Sequence, residues 1–151
     1  MITGVERLLA LEEIKLLRTR WSRLVDELRW SELDQVLTED AVLDLGGTSQ
    51  LPHKHGLPKP RPVHGARRIC QYLQQRNGRI PEQLHIVSLP EIEFQSDTEA
   101  TGVWRQESFV KQAVGLDGKC GIAYGTIHDT YRKIDGHWLM HTMQVSVDLI
   151  I

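Results

Sequence analysis

The chain has 151 residues, 40% hydrophobic and 25% charged, which suits one globular domain that buries about 70% of its unfolded surface and has room for a cavity. Its 18 Lys and Arg against 20 Asp and Glu give a net charge of −2, which argues against the strongly basic face of a nucleic-acid binder. No run of about 18 apolar residues and no basic leader ahead of an apolar core is present, so neither a membrane span nor a signal peptide is expected. The two cysteines, Cys70 and Cys120, lack metal-binding spacing and suit a reduced, cytoplasmic setting.

Thr3 is placed to cap a helix, with Glu6 as its return partner. From there to about Trp30, Ile14, Leu17, Trp21, Leu24, Val25 and Leu28 recur at three- and four-residue spacing, which predicts one apolar helix face. Ser31 opens a short second helix, SELDQVLT, and AVLDLGG reads as a strand running into a glycine turn. Residues 46–64, rich in Pro, Gly and His, form a long connection of the kind that serves as a lid, a binding loop or an oligomer contact. GARRICQYLQQR is a third helix with Ile69, Tyr72 and Leu73 on one side, and NGRIP ends it. Four strand-like runs follow: LHIVSLPEIEFQ, EATGVWRQESFVKQAV, CGIAYGTIHDTYRKI and HWLMHTMQVSVDLI. The Asp-Gly between the last two is a tight-hairpin signal. Helices first and a strongly curved antiparallel sheet after them predict an α+β domain over residues 1–151, a cone-shaped barrel in which the sheet wraps the long N-terminal helix and leaves an open mouth.

His85 shares a strand face with Val87 and Leu89. It is either a satisfied core histidine or a base facing a cavity, and structural histidines are the commoner case. Asp26 lies about 150° from the centre of the apolar stripe on a helical wheel and reads as solvent-facing. Trp21 is on the stripe and reads as core. Trp104 and Trp138 are strand tryptophans that suit plain packing or a polar cavity wall. His128 alternates with Ile127 and Asp129, and the pattern leaves open which of them points inward. His53 and His55, two apart in the long loop, have no cysteine or paired carboxylate beside them, so a solvated loop is favoured over a metal site. With no G-x-S-x-G elbow, no G-x-G-x-x-G and no P-loop, neither a metal nor a nucleotide cofactor is expected.

Taken in order, LLALEEIKLLRTRWSRLVDELRWSELDQVLTEDAVLDLGG, VHGARRICQYLQ, LHIVSLPEIEFQSDTEATGVWRQESFV and GTIHDTYRKIDGHWLM resemble the SnoaL-like branch of the nuclear-transport-factor-two-like superfamily over nearly the whole chain. The resemblance implies a cofactor-independent lyase (dehydratase), isomerase or cyclase acting on a small hydrophobic cyclic compound in an enclosed pocket. It puts the catalytic pair of such enzymes on His85, as base and returning acid, and on Asp26, as the carboxylate that orients it. Trp21, Trp104, Gln106, Tyr124 and His128 are the implied lining. Trp21 stands where many relatives carry a tyrosine, and Val110 and Leu45 where one carries a second histidine and a second tyrosine. The acid of those enzymes is therefore missing, and His128, Tyr124 and Tyr131 are the candidates to replace it.

The same cone also hosts domains without chemistry. The alternative reading is thus a small-molecule-binding or accessory domain, and a third is a structural partner similar to a dioxygenase small subunit. The partners expected are a small hydrophobic ligand and a second or third copy of the chain, as homodimer or homotrimer, because an open antiparallel sheet face needs cover. Neither nucleic acid nor a membrane is expected.

Overall fold

A computed structural model describes residues 3–46, 60–77, 83–111 and 120–151. Helix α1 runs Gly4–Asp26 and buries Ile14, Leu17, Trp21, Leu24 and Val25, the stripe read from the sequence. It stops earlier than the periodicity suggests. Leu28 takes φ 57, and the amides of Glu27, Leu28 and Arg29 close on the carbonyls of Arg23, Val25 and Leu24. A residue in the left-handed region after the last turn is a common helix stop; here it falls on a leucine. At the other end Thr3 is extended and makes no side-chain cap bond, so the capping box expected with Glu6 is not formed.

The predicted second helix is a 3₁₀ stretch, Trp30–Val36, with Leu33 and Val36 buried. Strand β1, Leu37–Asp44, follows at once. Then come β2 (Val63–His64), α2 (Ala66–Asn77), β3 (Gln83–Val87), β4 (Glu91–Phe94), β5 (Glu99–Lys111), β6 (Cys120–Ile134) and β7 (His137–Ile150). The run LHIVSLPEIEFQ is thus two strands. Pro90, which has no N–H to give to a ladder, lies in the break, and both halves pair with β5. His53, His55 and most of the long connection lie outside the described residues.

The sheet order is β2-β1-β7-β6-β5-β3, with β4 also on β5. All pairs are antiparallel except β1 with β7, which is parallel. The sheet is thus mostly antiparallel, as expected, with one parallel pair where the chain's first strand lies beside its last. Asp135 (φ 50) and Gly136 (φ 85) make the β6–β7 turn that Asp-Gly predicts. Two register shifts between β6 and β7, at Tyr124/Gly125 and Thr130/Tyr131, bend the strands and increase their twist. A Cβ at Gly125 would run into the carbonyl oxygen of Ser146, so the first bend demands glycine there.

Strand alternation gives β5 and β6 an inner and an outer face. Trp104, Ile127, Asp129 and Tyr131 are buried inside, whereas Arg105 and His128 are exposed. Among the described residues, no helix is long and apolar enough to cross a membrane.

Candidate active site

Three polar residues of α1, Arg18, Ser22 and Asp26, are spaced four apart and so lie on one line of the helix. The sheet covers this line as well as the apolar stripe: Arg18 is 2% exposed and Ser22 6%. The wheel reading of Asp26 as solvent-facing is therefore corrected. The sheet reaches past the greasy face of the helix and turns its polar line into a seam.

At one end of the seam, Asp26 Oδ1 lies 2.5 Å from His85 Nδ1, and Asp26 Oδ2 accepts the backbone N–H of His85 at 2.9 Å. Both oxygens of one carboxylate thus hold the ring and the strand that carries it. Gln83 adds a third tie, its Nε2 donating to the carbonyl of Val25 at 2.9 Å. A carboxylate at Nδ1 places the proton on that nitrogen and leaves the lone pair on Nε2. Among the described residues Nε2 has no hydrogen-bond partner. The side chains of His85 and Asp26 are 18% and 14% exposed, shielded but within reach of a molecule from solvent.

From His85 the seam continues along the inner face of β5. His85 pairs across the ladder with Ser108. Gln106 Nε2 donates to Ser108 Oγ at 2.8 Å, and Arg18 Nη2 donates to Gln106 Oε1 at 3.2 Å. Arg18 Nη1 is 3.4 Å from Asp129 Oδ2, close enough for an ion pair but not aligned as a hydrogen bond. Tyr131 donates its hydroxyl to Asp129 Oδ2 at 2.8 Å and accepts from Trp104 Nε1 at 2.9 Å. Gly102 makes this packing possible, since a Cβ there would come within 3.1 Å of both Trp104 and Tyr131. Burial pushes the Asp129 carboxyl upward against the pull of Arg18. Burial first, and Asp129 second, push the Tyr131 hydroxyl well above its ordinary value of 10, so it stays a donor.

The structure brings Asp26, His85, Gln106 and Trp104 onto this seam. Trp21 is buried in the apolar core, 7% exposed. His128 and Tyr124 are not on the seam: His128 is exposed, and both share the outer-face parity of Thr126, whose hydroxyl bonds Arg105 and Asp148 in solvent. They are corrected as lining residues, because Ile127 and Asp129 take the inward positions of β6. Of the residues proposed to replace the missing tyrosine, only Tyr131 points inward, and it is locked between Asp129 and Trp104. The sequence reading missed Arg18, Ser22, Ser108 and Asp129; the four-residue spacing of Arg18, Ser22 and Asp26 was the available signal.

A separate open groove of about 630 Å³ lies between the 3₁₀ stretch and α2, beside Trp30, Asp34, Arg67 and Cys70. Burial and the nearby Asp34 raise the thiol of Cys70, which makes it a poor nucleophile. No cluster among the described residues has the three His, Cys, Asp or Glu needed to hold a metal ion.

A curved sheet around a long helix, with an imidazole braced from the helix end, defines an α+β cone of the nuclear-transport-factor-two-like type. The chain belongs to the SnoaL-like domain family, whose model matches residues 6–144. Solved structures share the fold. A candidate scytalone dehydratase from Novosphingobium aromaticivorans DSM 12444 is 19% identical, with TM-score 0.79 over 97% of this chain and 89% of that one. The hexachlorocyclohexane dehydrochlorinase LinA-type3 from Novosphingobium barchaimii LL02 is 14% identical, with TM-score 0.82 over 99% and 93%. At these identities the likeness is one of fold.

Proposed function

We propose that the protein is a cofactor-independent lyase of the dehydratase type, in which His85 moves a proton and Asp26 orients it. The observation that carries this reading is the double hold of Asp26 on His85, ring and backbone together, beside an Nε2 with no partner among the described residues. A histidine wanted only for packing needs no second carboxylate oxygen on its own amide. Family membership and the lyase names of two fold relatives support the class of chemistry.

In this reading Nε2 takes a proton from a substrate carbon, and the C–H electron pair forms a double bond. The C–O bond on the neighbouring carbon breaks, and the departing hydroxyl receives the proton back from the imidazolium as water. Asp26 stabilises the imidazolium in between, and the neutral ring is restored. Isomerisation follows the same first step, with the proton returned to a different carbon. The substrate class in this reading is a small cyclic hydrophobe. The outer sheet face, where Leu84, Ile86 and Leu149 are 50%, 49% and 50% exposed, supports self-association as part of the same proposal.

The test is a screen of cyclic alcohols and halides for elimination, followed by His85→Gln on the best substrate. Turnover within a few-fold of the parent would remove His85 from the mechanism and leave the non-catalytic binding domain as the reading.

A further inference from the structure

We propose that Arg18 and Asp129 form a hydroxyl-recognition subsite that takes an alcohol or phenol group on the ring compound whose reacting end meets His85; the assignment rests on the reading of His85 and Asp26 as the reacting pair. The described residues leave five buried side-chain polar atoms without a hydrogen bond. Four of them, Arg18 Nε, Arg18 Nη1, Ser22 Oγ and Asp129 Oδ1, belong to this one stretch of the seam. Buried polar groups are otherwise nearly always satisfied, so a cluster of orphans marks a place where something else supplies the partner.

The orphans are of both kinds. Arg18 offers N–H donors, and Asp129 Oδ1 is an acceptor. A hydroxyl answers both, accepting from the guanidinium through its oxygen and donating its hydrogen to Oδ1. A carbonyl or ether answers only Arg18. A carboxylate answers Arg18 but meets the charge of Asp129. The remaining bonds hold the pair in place rather than satisfy it: Tyr131 occupies Oδ2, and Gln106 occupies Nη2. Position fits as well. Arg18 and Asp26 are eight residues apart on α1, about 12 Å along the axis, so a polycyclic guest that opened the closed seam along Ser22 and Gln106 would span both.

Four probes on one frame separate the possibilities: naphthalene, 2-methoxynaphthalene, 2-naphthol and 2-naphthoate. Each is titrated into the whole protein by calorimetry and by ¹⁵N detection of the arginine Nε–H signals, with the Arg18 signal identified by its loss in Arg18→Lys. The expected result is that 2-naphthol binds at least about tenfold more tightly than naphthalene, that the ether falls between them, that the carboxylate binds worst, and that 2-naphthol moves the Arg18 signal. Arg18→Met is expected to abolish the hydroxyl preference. Equal affinities, no binding by any probe, or a shift confined to other arginines overturns the proposal and assigns the orphans to internal water. Because the wild-type signal is read directly, a poorly folded Arg18→Met does not decide the matter. Binding is measured without turnover, so a failure of His85 as base leaves this result standing and the two readings fall separately.

Discussion

The seam ends in two side-chain pairs that mirror each other. At one end the helix supplies the carboxylate, Asp26, and the sheet supplies the base, His85; at the other the helix supplies the cation, Arg18, and the sheet the carboxylate, Asp129. The first pair is 18% and 14% exposed and hydrogen-bonded at 2.5 Å, whereas the second is 3% and 0% exposed at 3.4 Å. Solvation separates their uses. A shielded but reachable imidazole can load and unload a proton. A guanidinium never gives its proton up, so the deep pair is a fixed charge arrangement.

This contrast predicts that catalysis and stability respond to opposite ends. The largest effect is expected from His85→Ala, a loss of roughly 10²–10⁴ in turnover on an identified substrate, with little change in the thermal melting midpoint. A variant that instead melts early and keeps its rate would reverse the assignment. Next comes Asp129→Ala, which strands Arg18 in the core and is expected to cost about 3–5 kcal/mol in denaturant unfolding. The double variant Arg18→Met with Asp129→Leu should recover most of that loss, because it removes both charges at once. A double variant as unstable as the single one would show that packing, not charge, is what Asp129 provides. Asp26→Asn is expected to lower turnover by roughly 10–100-fold through loss of ring orientation, again with a small change in stability.

The smallest effect is a pH slope. Burial raises the folded-state pKa of Asp129 above its ordinary 3.8. Asp129 therefore favours the folded state most below that value, and this contribution is lost as pH rises through the folded pKa. Asp40 behaves in the opposite sense. A hydrogen bond from Thr38, with His141 and Arg132 nearby, lowers its carboxyl, so its contribution is present above about 3.8 and fades as pH falls through the folded value. Unfolding titrations should show stability rising more steeply with pH in Asp129→Asn than in the parent above pH 4, and a weaker acid loss in Asp40→Asn. Parallel curves for all three proteins would break the comparison.

Much of the architecture was legible in the chain. The core stripe of α1, the helix that became α2 and the Asp-Gly hairpin follow from periodicity and turn chemistry, which are local. The parallel contact of β1 with β7 was not, because pairing between strands so far apart in the chain leaves no mark on either segment. The candidate pair was read through family resemblance and against the helical wheel. The wheel failed at Asp26 because amphipathicity describes the helix alone, while burial depends on how far the sheet extends around it. His128 was misread for a related reason: a strand with titratable groups at 128 and 129 gives no inward direction, and only the pairing with β5 decides that Asp129 points in. Arg18 was hidden by chemistry, since an arginine on a helix is ordinarily a surface residue.

The grip of Asp26 on both ring and amide also makes one carboxylate the staple between the end of α1 and the edge strand β3. Any movement that parts the two frees imidazole and amide together, so helix end and strand come loose as one.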